Sequence, residues 1–134
     1  MRYHVGLAIA VVLLSGTPVA AVDDYLCEIM GTGRVVASGQ FEETNILKMY
    51  VGRKFSVDRK TGMMSGALKN NYHSMPRLVD RGSKDNSFKV MTVDVFENTT
   101  NVYVLNIGEF EEGPNKPFIF YENSSVYYGR CRHF

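Results

Sequence analysis

The sequence predicts an all-β domain with a minor helix, built as a small antiparallel β-barrel or β-sandwich of seven or eight strands. Three observations carry this. Two-residue alternation of apolar and polar side chains runs through the second half of the chain, turn residues separate the alternating runs by a few positions each, and only one short stretch has helical spacing. Several of the strands are apolar on both faces.

The elements follow in chain order. Arg2 precedes an apolar run over 5–14, and 15–21 are small residues around Pro18, the three-part pattern of a secretory signal peptide over 1–21 cut after Ala21. The apolar run is about ten residues, far short of the roughly 20 that span a bilayer, so no membrane span is expected. Thr17 stands where a lipoprotein signal needs its Cys. A single β-rich domain over 22–134 remains, and the expected location is the bacterial periplasm or the secreted fraction.

Within it, 25–30 alternates up to Gly31-Thr32-Gly33 and an apolar run resumes at 34–37, which reads as a hairpin. Residues 44–50 place Ile46, Leu47 and Tyr50 on one helical face with Gly52 as a stop, a helix of two turns at most. Residues 54–58 and 63–68 flank Arg59-Lys60-Thr61-Gly62, where Asp58 can cap the turn and Gly62 can take positive φ. The stretch 69–87 is polar and turn-rich, interrupted only by Leu78-Val79, and reads as a long loop. Then Phe88, Val90, Thr92, Asp94 and Phe96 share one strand face, 98–101 turns, and 102–110 pairs back. A last pair, 118–121 and 126–132, surrounds Asn123-Ser124.

Cys27 and Cys131 are the only cysteines and stand near opposite ends of the exported chain. An oxidising destination makes them a disulfide, clamping the first strand to the last. A bridge closing a loop of roughly 100 residues stabilises by up to about 4 to 5 kcal/mol in chain-entropy models. The composition is that of a folded chain, with 45% apolar and 12% aromatic residues. With 15 basic against 14 acidic side chains there is no bulk charge to draw nucleic acid.

The run Phe55-Ser56-Val57-Asp58-Arg59-Lys60-Thr61-Gly62, followed by Met64 and Gly66, and the ending Tyr127-Tyr128-Gly129-Arg130-Cys131 resemble patterns of small exported bacterial β-rich proteins of unassigned function. The resemblance implies an exported β domain and brings no activity or site residue with it. The Asp-x-x-Thr-Gly piece also recurs in propeller blades, but the chain is too short for their repeats.

No catalytic, metal or nucleotide motif stands out, and no cofactor is expected. His73 and His133 lack neighbours at metal-ligand spacing. Ser65 is one position off a nucleophile elbow. Glu109, Glu111 and Glu112 form a carboxylate cluster at a strand end, the one handle for a hydrolase-like reading. Asn98-Thr99-Thr100 and Asn123-Ser124-Ser125 match the glycosylation rule, which matters only in a eukaryotic secretory route.

The binding candidates are basic residues and a loop aromatic. Arg53, Lys54, Arg59 and Lys60 gather near one hairpin, and Arg130, Arg132 and His133 near the C-terminus. Should the two groups meet, they form a positive patch for an acidic partner. Tyr72, with Met75 and Pro76, lies in the longest polar loop, where recognition is often carried. The expected binding residues are therefore Arg59, Lys60, Tyr72, Arg130 and Arg132. Tyr103, Phe118, Phe120, Tyr121, Tyr127 and Tyr128 are read as core and sheet-face residues.

The leading expectation is an exported non-enzymatic binding module, such as an inhibitor or an envelope- or host-protein interaction domain. The alternative is a barrel-type carrier of a small apolar ligand, lined by Met30, Met49, Met63, Met64, Met75 and Met91.

Overall fold

The computed structural model describes residues 23–134; the expected signal segment lies outside them. Nine strands and one helical turn follow in chain order: β1 (Tyr25–Val35), β2 (Phe41–Glu42), α1 (Asn45–Lys48), β3 (Lys54–Val57), β4 (Met64–Gly66), β5 (Arg77–Arg81), β6 (Phe88–Val95), β7 (Thr100–Ile107), β8 (Lys116–Glu122) and β9 (Ser125–His133). They form one antiparallel sheet in the order β4-β3-β1-β9-β8-β7-β6-β5, with the two-residue β2 paired to β1. The sheet curls into a half-barrel, as the all-β reading with one short helix anticipates.

Curling brings strands from the two halves face to face. The rings of Tyr25 and Phe88 lie 5.2 Å apart, and those of Phe55 and Phe118 lie 5.1 Å apart, edge to face. Around them the concave face buries Ile29, Val57, Met64, Val90, Leu105, Ile107 and Phe120. Strict alternation supplies these residues: β6 buries Phe88, Val90, Thr92 and Asp94 and exposes the residues between them.

The disulfide joins Cys27 of β1 to Cys131 of β9, directly opposed in the ladder with Cα atoms 3.9 Å apart. First and last long strands are thereby clasped as the sequence implied. The hairpin β3–β4 also forms as read. Asp58 Oδ1 accepts from the N–H groups of Lys60 and Thr61 at 2.8 and 3.0 Å, and Gly62 takes φ 78°. Thr44 caps α1 by accepting from Leu47 N–H at 3.2 Å.

Two expectations are corrected. Gly31-Thr32-Gly33 does not turn the chain; it lies inside the continuous strand β1, past a register shift between Ile29 and Gly31. The glycines are there for ring packing, because a Cβ at Gly31 would meet the Tyr128 ring and one at Gly33 the Phe41 ring. The chain turns later, between Val35 and Phe41, where Gly39 has φ 81°. The polar stretch 69–87, read as loop, contains β5, an edge strand paired to β6 through Leu78 and Arg81. Its alternation is hidden because one face is charged and a register shift follows Leu78.

Candidate functional site

The convex side of the half-barrel exposes apolar residues from four neighbouring strands. On β6, β7, β8 and β9 the outward residues include Met91, Val93, Val104, Ile119, Tyr121 and Tyr128, each between 36% and 47% exposed. The register makes them neighbours: Met91 faces Val104, Val104 faces Tyr121, and Ile119 faces Tyr128. Six such residues expose on the order of 500 Å² of side chain, near the upper end for a monomer's largest apolar patch.

The same face turns basic along β9 and β1. Tyr128, Arg130 and Arg132 follow one another at two-residue spacing, and the ladder sets Arg132 opposite Leu26, and Glu28 opposite both Arg130 and Lys54. Between them runs a groove of about 240 Å³ lined by Leu26, Glu28, Lys54, Asn115, Arg130 and Arg132, with the disulfide beneath. Arg130 Nη2 stands 3.8 Å from Glu28 Oε2, an exposed pair of small energetic weight. Lys54 and Arg132 have no ion pair among the described residues. The groove thus offers positive charge to an anionic group, beside apolar surface.

The hairpin-tip candidates go elsewhere. Arg59 leaves the basic face: its guanidinium lies 5.5 Å from the Tyr25 ring centre and 3.6 Å from Glu109 Oε1, and the Arg59 backbone N–H donates to Asp24 Oδ1 at 3.0 Å. Tyr25 Oη donates to Glu109 Oε2 at 2.5 Å, and His133 Nε2 lies 3.0 Å from Oε1. So hairpin tip and C-terminus do meet, through Glu109, but Arg59 is drawn into an ion network. Lys60 is exposed at the tip. Burial resists charge on Glu109, yet the hydrogen bonds from Tyr25 and His133 and the charges of His133 and Arg59 outweigh it and hold the carboxyl below its ordinary value. Glu111 and Glu112 are exposed and do not join this network.

Tyr72 stands on the segment 67–76, which lies along the other end of the concave face. Its ring is 5.9 Å from Tyr103, the adjacent His73 ring is 4.9 Å from Phe96, and Ser74 N–H donates to Asp94 Oδ1 at 2.8 Å. His73 and His133 therefore sit at opposite ends of β6. The six candidate methionines do not share an interior: Met64 is buried, Met63 is half-buried, and Met30, Met49, Met75 and Met91 are exposed. Among the described residues no group of three or more His, Cys, Asp or Glu is placed to hold a metal, and no helix is long and apolar enough to cross a membrane.

Sequence reasoning did not single out Asp94 or Glu122. The signal was present for both, since Asp94 follows Phe88, Val90 and Thr92 on the buried face and Glu122 follows Phe118 and Phe120 on theirs. Comparison of the chain with protein-family models, with curated proteins and with solved structures finds no match in any of the three.

Proposed function

We propose that the chain is an exported, non-enzymatic binding module that docks a protein partner on its convex face. The observation that carries this reading is the continuity of the exposed apolar rows on β6 to β9 with the basic groove along β9 and β1. A partner segment with acidic and apolar side chains complements both halves: the apolar half supplies affinity by area removed from water, and the basic half supplies orientation and encounter rate. The disulfide fits an oxidising location outside the cytoplasm. A rigid clasped sheet also suits docking, because little order has to be gained on binding.

The test is capture from an extracytoplasmic or host fraction, run in parallel with three variants. The native protein and Lys60→Ala are expected to retain the same partner. Arg130→Glu with Arg132→Glu, and Ile119→Asp with Tyr128→Asp, are expected to lose it, and retention should weaken with salt in the native protein. Equal retention by all variants, or no selective retention by the native protein, contradicts the proposal.

A further inference from the structure

A second surface is built at the open end of the concave face. The register sets Thr92, Tyr103 and Glu122 in one row across β6, β7 and β8, with Asp94 two residues further along β6 opposite Asn101. Alternation turns Thr92, Asp94 and Tyr103 inward with Val90, Leu105 and Phe120, and puts Glu122 on the same side of β8 as Phe120. Five rings arc around them. Tyr50 meets Tyr127 at 5.3 Å, Tyr127 meets Phe120 at 6.1 Å, Phe120 meets Tyr103 at 6.5 Å, and Tyr103 meets Tyr72 at 5.9 Å.

The polar atoms inside this arc are short of donors. Asp94 is 1% exposed; its Oδ1 accepts from Ser74, while Oδ2 has no hydrogen-bond partner among the described residues. Thr92 is 2% exposed, and its Oγ1 has no partner there either. No side-chain hydrogen bond or ion pair joins the Glu122 carboxylate to another described residue, and burial raises its carboxyl above the ordinary value. Burial first, and the nearby Glu122 charge after it, also raise the hydroxyls of Tyr72, Tyr103 and Tyr127, the last to about 12. The guanidinium of Arg53 lies 5.4 Å from the outermost ring centre, that of Tyr50, and makes no ion pair with either carboxylate.

We propose that this tyrosine arc, with Glu122, Asp94 and Thr92, is a receptor for an organic ammonium group. Ring faces attract a cation through their quadrupole, and do so best for a weakly hydrated one. An ammonium group also brings the counter-charge that no described residue gives the Glu122 carboxylate, and N–H donors where the group carries them. The ammonium can come from a free small amine or from a lysine side chain of a peptide. The inference is independent of the convex face and of any partner docked there.

The experiment is a titration of the disulfide-bonded protein, read by the tyrosine ring NMR signals. The probes are methylammonium, tetramethylammonium and Nα-acetyl-lysine amide, with sodium chloride at matched ionic strength as control. Saturable shifts of Tyr72, Tyr103 and Tyr127 are expected with at least one ammonium probe and not with sodium. Tighter binding of the lysine derivative than of tetramethylammonium assigns a peptide side chain, and the reverse order assigns a free quaternary amine. Glu122→Gln should weaken binding about tenfold or more. Tyr72→Ala should weaken it several-fold, and this variant reads the site independently of Glu122 at a residue that is 62% exposed. Lys60→Ala should titrate as the native protein. Absence of saturation with every ammonium probe, equal shifts with sodium, or native affinity in both Glu122→Gln and Tyr72→Ala overturns the proposal.

Discussion

Glu109 connects residues that lie far apart in the sequence. Its carboxylate takes the Tyr25 hydroxyl, His133 and Arg59 from β1, β9 and the β3–β4 turn. Because its pKa is held below the ordinary 4.5, the stability it contributes is complete above that value and is lost as pH falls through the lowered one. Glu109→Gln should cost about 2 kcal/mol at pH 7, the scale of a hydrogen bond to a charged group, and the gap to the native protein should close in strong acid. Thermal melts of both proteins from pH 7 to pH 3 check this. Glu122 has the opposite sign. Its raised pKa means that ionisation destabilises the fold, so native stability should rise as pH falls through the folded value toward 4.5. Glu122→Gln should melt a few degrees higher than the native protein at pH 7, with the advantage fading near pH 4.

Among the elements, the pair β1–β9 joins the first strand to the last inside the sheet. The disulfide lies in it, and removing it by Cys27→Ser should cost about 2 to 4 kcal/mol, or very roughly 10 to 20 °C in melting temperature. The far-UV spectrum of the variant should still be that of a β protein. Gly129 sets a second condition: it faces Ile29 across the pair, and a Cβ there would overlap the Glu28 carbonyl oxygen. Gly129→Ala should therefore force β9 away from β1 and cost about 1 to 3 kcal/mol, measured by denaturant unfolding. Sequence made the clasp, the Asp58-to-Gly62 turn and the alternation of β6 legible, since each is local or follows from cysteine count. It hid the continuity of β1, because a glycine that admits a ring from another strand looks the same as one that turns the chain. It hid β5 for a related reason: a charged edge strand has the composition of a loop.

On the scale of the whole molecule, the curl divides the surface into two chemistries. The convex side is apolar and basic; the open concave end is acidic and aromatic. The basic residues of the convex side could be suspected from sequence, but not their company. Arg59 and Arg130 stand in similar basic runs, and only the fold sends one to Glu109 and leaves the other beside an exposed apolar sheet. The convex side is the docking face proposed for a partner. Residue-resolved surface labelling of the native protein, alone and in the presence of the captured partner fraction, tests it most directly. Protection is expected at Lys54, Arg130, Arg132, Tyr121 and Tyr128, with Lys60 and the charged edge β5 labelled as before. Protection confined to Lys60 and the hairpin tip, with the convex residues fully labelled, would contradict it.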